Sequence, residues 1–277
     1  MLKAISQNYS GIRGFQQMLD VTANNVANVN TVAYKEKQVS FHELTYRELA
    51  ERRMPHAGNP PLPPHNTGRG TGVSSIVPSR EQGALNATSR NLDLAVVGEG
   101  FFRLVLPDGG YAYTRSGNFF LDAAGNLTTP GGILLDPPLS LQEQEDVIDF
   151  ESLMITQGGV VQANRLPLTD EADLLEEQTG NIIELGQLHL YTFLNPQSLS
   201  EIGDNLLLPS EATAPPQEGF PGEDGYGEIR QGYLEQANVD LARQMTELIR
   251  GQRSMQTSSR ALHVADELWA LTLNLQS

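Results

Sequence analysis

The sequence predicts an α+β fold in which long amphipathic helices at the amino and carboxy ends pack together, coiled-coil-like, and bracket an all-β middle domain. Three observations carry this. Apolar side chains recur every seven residues at both ends, the spacing that lays one apolar stripe along a helix. The middle replaces that period with short β-type runs separated by turn sequences. Stretches rich in proline and glycine part the two textures.

At the amino end Ile5, Ile12, Leu19 and Val26 stand seven apart, with Leu2, Tyr9, Phe15 and Ala23 near the intermediate positions and no proline from Leu2 to Asn30. At the carboxy end Leu234, Leu241, Leu248, Met255, Leu262 and Trp269 repeat the interval, with Met245 and Leu273 on the alternate seam. A sustained seven-residue period is what a coiled-coil seam requires. Gln252, Ser259 and Asp266 interrupt the alternate seam and argue against a regular two-stranded zipper. A helix from Val239 to Leu273 would run about 50 Å, and Asn238 is the expected amino-terminal cap. The two stripes can bury each other as an antiparallel hairpin or bury themselves against other copies of the chain. A hairpin alone leaves second flanks such as Val29, Ile249 and Leu271 uncovered, which favours packing between copies.

Residues 1–35 therefore form an amino-terminal helix, 36–72 an extended Pro/Gly-rich connector, 73–235 a β-rich domain and 236–277 a carboxy-terminal helix. Within the β-rich part the expected strands are Leu94–Val97, Phe101–Leu106, Tyr111–Thr114, Phe119–Leu121, Ile133–Leu135 and Leu188–Leu194. Pro107-Asp108-Gly109-Gly110, Arg115-Ser116-Gly117-Asn118 and Ala123-Ala124-Gly125-Asn126 supply turns between them. A second Pro/Gly-rich acidic stretch, Ala214 to Gly227, leads toward the last helix.

Composition excludes several classes of function. With 277 residues, 39% of them hydrophobic, the chain can bury a substantial core. No stretch approaches the ~20 apolar residues of a membrane span, and the amino terminus lacks the apolar run and cleavage site of a secretory signal. The absence of cysteine removes disulfides, thiolate metal sites and cysteine nucleophiles. A net charge of -16 argues against nucleic acid, whose phosphates recruit Lys and Arg; the same charge makes free monomers repel one another. His42, His56, His65, His189 and His263 form no metal-spaced pair. Gly68-Arg69-Gly70-Thr71-Gly72 and Gly98-Glu99-Gly100 lack the strand-to-helix setting of a phosphate cradle. The acidic run Glu143 to Glu151 lacks the spaced ligands and central glycine of a calcium loop. With no nucleophile elbow either, the sequence assigns no catalytic, cofactor-binding or metal residue, and no small-molecule substrate.

One motif is specific. In Asp20 to Lys35, DVTANNVANVNTVAYK, the residues Ala23, Asn24, Asn25, Val26, Ala27, Asn28, Thr31, Tyr34 and Lys35 set three asparagines into a helix, where Asn competes for backbone hydrogen bonds and seldom arises from propensity alone. This resembles the amino-terminal signature of the flagellar rod, hook and hook-associated axial proteins. Asn91 to Leu127, NLDLAVVGEGFFRLVLPDGGYAYTRSGNFFLDAAGNL, is similar to that family's β-domain signature. Gln231-Gly232-Tyr233-Leu234-Glu235 with Asn238-Val239-Asp240 resembles the lead-in to its final helix, and Gln252-Arg253, Ala261 and Asp266-Glu267-Leu268 resemble the helix body. One position departs: where the family usually has glycine before the aromatic-Lys pair, this chain has Ala33. If that glycine serves a positive-φ helix end, Ala33 carries strain.

The resemblance implies a structural subunit, not an enzyme, that forms a homo-oligomeric helical tube carrying torque from motor to hook. The segment Val39 to Gly72 is most like the distal rod type. A proximal-rod or other hook-basal-body paralogue is the alternative, and a monomeric β-rich surface adhesin is the alternative of a different class. Implied partners are other rod and hook subunits, the flagellar type III export apparatus and the rings around the rod. The implied location is the periplasm-spanning basal body, reached without a cleaved signal peptide. The expected polymerisation interface comprises Ile5, Ile12, Leu19, Val26, Leu241, Met245, Leu248, Met255, Leu262, Trp269 and Leu273.

Overall fold

The computed structural model describes residues 2–44, 47–49, 65–67, 70–123, 125–138, 148–165, 182–210 and 213–274. Residues 50–64 of the Pro/Gly-rich connector and 143–147 of the acidic run lie outside that set. The chain divides into two compact units, one comprising residues 1–29, 36–79 and 239–277, the other 30–35 and 80–238.

In the first unit, helix α1 (Leu2–Ala27) and helix α2 (Leu241–Asn274) pack antiparallel. Near the start of α2 the Asn25 amide donates to the Gln244 side-chain oxygen at 3.2 Å. Farther along, Leu19 lies 3.0 Å from where a Cβ on Gly251 would stand. The covered or half-covered row of α2 runs through Gln244, Leu248, Gly251, Met255, Ser258, Leu262 and Ala265, alternating steps of four and three as a helix face requires. The second row of the α2 seam is thus Gln244, Gly251, Ser258 and Ala265, while Met245, Gln252, Ser259 and Asp266 are exposed. At Gly251 the reason is steric: with Leu19 already 3.0 Å from a hypothetical Cβ, a larger side chain would force the helices apart.

The cap of α2 is Asp240 and not Asn238. The Asp240 carboxylate accepts from the backbone N–H groups of Ala242 and Arg243 at 2.9 and 3.2 Å, satisfying two of the donors a helix start leaves open. Asn238 donates to the Glu81 carbonyl instead.

In the same unit the strands Lys37–Glu43 and Thr71–Pro78 form an antiparallel pair whose register slips between Ser40 and Phe41, and the short strands Arg47–Leu49 and His65–Thr67 form another. Phe41 leans on Phe15 at 6.3 Å between ring centroids, and its ring fits because Gly14 offers no Cβ. Both ends of the segment expected to be an extended connector are therefore paired, and the strand Thr71–Pro78 crosses the expected domain boundary at residue 73.

The second unit is β-rich. One antiparallel sheet orders its strands Ser200–Gly203, Leu206–Leu208, Tyr111–Thr114, Phe102–Val105, Leu134–Asp136, Leu127–Thr128 and Phe120–Leu121. A second joins Ile148–Ile155, Val160–Arg165 and Ile182–Gln187. Shorter pairs link Leu94–Val97 with Glu228–Gln231, Leu190–Thr192 with Gln217–Gly219, and Leu85–Ala87 with Tyr233–Glu235.

The adjacent Phe101 and Phe102 enter two different cores. Phe102 packs with Leu94, Leu104, Phe119, Leu127 and Leu135. Phe101 packs with Tyr113, Tyr191, Phe193, Leu199 and Leu207. Successive strand residues point to opposite faces, so a strand buried on both faces demands the doubled phenylalanine. Arg115, itself buried, donates from Nε to the Gly100 carbonyl at 3.1 Å and from a terminal nitrogen to the Gly98 carbonyl. Gly117 approaches so closely that a Cβ would stand 1.7 Å from the Leu94 carbonyl oxygen; only glycine fits.

Candidate functional site

The Asn-rich signature is divided between the two units. In the first, the Asn25 side chain, 1% exposed, clamps the backbone of Lys37: its oxygen accepts from the Lys37 N–H at 3.0 Å and its nitrogen donates to the Lys37 carbonyl at 2.9 Å. That pair imitates one rung of a β-ladder, so asparagine is chosen here for having an acceptor and a donor side by side. Gln244 extends the network, donating to a Glu36 carboxylate oxygen at 2.9 Å. Asn24 and Asn28 act locally, the Asn28 amide donating to the Asn24 carbonyl as α1 ends. Ala23 and Ala27 are exposed.

In the second unit the rest of the signature turns sharply. Ala33 sits at φ 57° and is buried, so the left-handed conformation that favours glycine is held here by a residue with a Cβ. Its N–H donates to the Glu235 carbonyl at 2.8 Å. Tyr34 is buried, its N–H donates to the Thr31 carbonyl, and its own carbonyl accepts from the Asn238 N–H. Lys35 donates to the Glu235 carboxylate at 2.6 Å and to the Glu81 carbonyl at 2.8 Å. The same carboxylate accepts from the Gly83 N–H at 2.9 Å and lies 3.6 Å from the Arg115 guanidinium. Burial pulls the Lys35 ammonium below its ordinary pKa, against the attraction of Glu235.

Glu235, Arg115, Gln244 and Glu36 escaped assignment from the sequence, because a buried polar residue carries no compositional mark. Two of them stood in segments quoted for the resemblance, Glu235 in the lead-in to the last helix and Arg115 in the β-domain signature.

The expected interface residues fall into three groups. Ile12, Leu19, Val26, Leu248, Met255 and Leu262 are half-buried, and the α2 members share the face that meets α1. Leu241, Met245 and Trp269 are exposed at 39, 51 and 37%. The side chains of Ile5 and Leu273 lie outside the described residues. Three further apolar residues of α2, Ile249, Val264 and Leu271, are more than half exposed, with Leu268 close behind. Beside the helix pair, a cleft of about 170 Å³ is lined by Met18, Val21, Val39 and Phe41 and rimmed by Arg243 and Glu247.

A chain with a β-rich unit and a helix pair whose flanks expose this much apolar surface is built to be part of a larger assembly. Three family models match it: flagella basal body rod protein over residues 10–35, the flagellar hook protein FlgE/F/G D1 domain over 95–163, and the flagellar basal body rod FlgEFG protein C-terminal region over 230–275. The flagellar basal-body rod protein FlgG of Borreliella burgdorferi is 33% identical over 277 residues, covering 100% of this chain and 99% of that protein. FlgG of Bacillus subtilis is 34% identical with 100% of both chains covered, and FlhP, a flagellar hook-basal body complex protein of the same species, is 29% identical over 98% of each. The chain belongs to the flagellar basal-body rod and hook protein family. Within that family it is a structural rod subunit of the distal type.

Proposed function

We propose that the chain polymerises through its helix pair into the helical tube of the distal rod and passes motor torque along it to the hook. The observation that carries this reading is the uncovered apolar surface of α2, with Ile249 51% and Leu271 59% exposed in the single chain. Charge supports it. The unit that holds the helices has eleven basic and nine acidic residues, the other unit seven and twenty-five, so mutual repulsion between copies is smallest where apolar faces would meet. Packed helices transmit shear because close-packed side chains must slip together, and contacts that do not close into a ring extend as a filament. The reading includes export through the flagellar type III apparatus, a periplasm-spanning position, coiled-coil-like contacts among helices of neighbouring copies, contact with the surrounding rings, and no enzymatic activity. Labelling the protein in purified basal bodies tests the position.

Ile249→Asp tests the mechanism. At a half-exposed site the charge costs little in the monomer, but buried between copies without a partner it costs several kcal/mol. Helix content of the monomer should match the parent while polymerisation and swimming are lost. Polymerisation at the parent's concentration would rule out this face.

A further inference from the structure

Among the described residues three that are not glycine hold left-handed backbone, Ala33 at φ 57°, Asp204 at φ 49° and Asn205 at φ 57°. The three meet at one place in the β-rich unit. Asp204 and Asn205 are the two residues between the paired strands Ser200–Gly203 and Leu206–Leu208, where a tight hairpin needs positive φ and the second position favours glycine. Asparagine stands there instead. Its backbone carbonyl accepts from the buried Thr114 hydroxyl at 3.0 Å, and its side-chain amide donates to the Val32 carbonyl at 2.6 Å. At the other end of that same peptide group the Ala33 N–H donates to the Glu235 carbonyl at 2.8 Å. Because a peptide group is planar and turns as one body, these two bonds hold both ends of a single plate, and the setting of that plate keeps Ala33 left-handed. Alanine has no side-chain group that favours this region, so the conformation persists because its surroundings impose it.

We propose that the Val32–Ala33 peptide is a two-position switch and that Asn205 is its catch. Turning the plate over changes ψ of Val32 and φ of Ala33 together, which carries Ala33 from the left-handed into the extended region and relieves its strain. The flanking Cα atoms need move little. Of the two holds, the Glu235 carbonyl belongs to a strand paired with Leu85–Ala87, whereas Asn205 reaches across with a side chain from a partly exposed hairpin tip. The side chain is the hold that can let go. Strained backbone of this kind gathers at switch regions, and the loop that it sets, residues 30–35, is the chain's path onward from α1.

Asn205→Gly in the full-length chain isolates the catch, since glycine suits the turn and removes only the side chain. Asn205→Asp is the second variant: it also tolerates the turn but sets another acceptor against the Val32 carbonyl. Nuclear magnetic resonance of dilute, labelled protein reads two quantities at Ala33, the hydrogen-exchange rate of its N–H and the coupling between its amide and α protons. With glycine the exchange should quicken about tenfold and the coupling should move toward the value of extended backbone, while the amides of the paired strands Phe102–Val105 and Tyr111–Thr114 keep the parent's rates. Aspartate should produce the larger change of the two. Rates and coupling at Ala33 equal to the parent's in both variants overturn the proposal. So does quickened exchange without any change in coupling, which is fraying and not a turn of the plate, and so does equal acceleration throughout the unit, which would make the Asn205 bond a general contributor to stability.

Discussion

The Lys35 ammonium and the Glu235 carboxylate meet at 2.6 Å across two hundred residues of sequence, with side chains only 10 and 1% exposed. An ion pair so enclosed adds little net stability when intact, because both charges have left water. Its removal is another matter. Glu235→Ala strands a buried ammonium and deprives the Gly83 N–H of its acceptor, which should cost about 3–5 kcal/mol. Lys35→Met combined with Glu235→Gln removes both charges and should recover much of the loss. Urea unfolding of the two forms decides it, and equal stability of Glu235→Ala and the parent would refute the role given to the pair. Because burial lowers the folded-state pKa of Lys35, the unfolded chain holds that proton to higher pH. Lys35 by itself thus makes stability rise with pH from the lowered value up to about 10.5. The Lys35→Met form should lose that slope.

Ala33 gives a second measurement. Its left-handed backbone, φ 57°, costs about 1–2 kcal/mol for a residue with a Cβ. Ala33→Gly relieves that strain, yet it frees the unfolded backbone by about 0.5–1 kcal/mol and uncovers one methyl group worth about 0.8 kcal/mol. The contributions nearly cancel, so the glycine form should stay within about 1 kcal/mol of the parent. Ala33→Val puts a β-branched residue where such residues are true outliers and should lose about 3 kcal/mol. Comparable losses in the two variants would show that backbone strain is not what the site is about.

The helices were legible because burial there follows an apolar period, and the strands Leu94–Val97 and Tyr111–Thr114 because their chemistry alternates with turn sequences. The second row of the helix seam was not. Gln244, Gly251 and Ser258 carry no hydrophobic signal, and what places them inside is the closeness of α1, a property of two segments together. The strands Val160–Arg165 and Ile182–Gln187 were passed over for a related reason: short, with Gln162 and Glu184 among their residues, they gain strand character from their neighbours. Asn25 was legible as a signature yet opaque in its role, since the Lys37 backbone it clamps is fixed only by the fold.

Alkaline titration reports on the aromatic core. Burial raises the phenols of Tyr191 and Tyr113 above their ordinary value, with the Arg103 guanidinium pulling the other way; that guanidinium stands 4.1 Å from the Tyr191 ring centroid. A raised folded-state pKa means the stability these phenols contribute is whole below about pH 10 and is lost as pH climbs from there toward the folded value. Tyrosinate absorbance should therefore include a late stage, in which the buried pair ionises only as the unit unfolds. A single reversible stage near pH 10 with native circular dichroism throughout would contradict the burial argument.

Asn25→Asp asks whether the signature asparagine works by shape or by carrying a donor. Aspartate has nearly the same outline and can still accept from the Lys37 N–H. On its other side, however, the Asn25 nitrogen donates to two oxygens, the Lys37 carbonyl at 2.9 Å and Gln244 Oε1 at 3.2 Å. A carboxylate there faces two acceptors in a position closed to water. Turning the Gln244 amide over does not help, because its nitrogen already donates to Glu36 and the turn would point oxygen at a carboxylate. The variant should lose about 3 kcal/mol at neutral pH, more than the roughly 1–2 kcal/mol expected when Asn25→Ala merely deletes the bonds. Acid should reverse the order. Once protonated, the aspartic acid can donate to the Lys37 carbonyl, so its deficit relative to the parent should shrink as pH falls through the carboxyl range, while that of the alanine form stays flat. Helix content followed at 222 nm through urea unfolding at neutral and acid pH gives both comparisons. An aspartate form as stable as the parent at neutral pH would mean that the amide donor is dispensable and that the clamp holds Lys37 through its N–H alone.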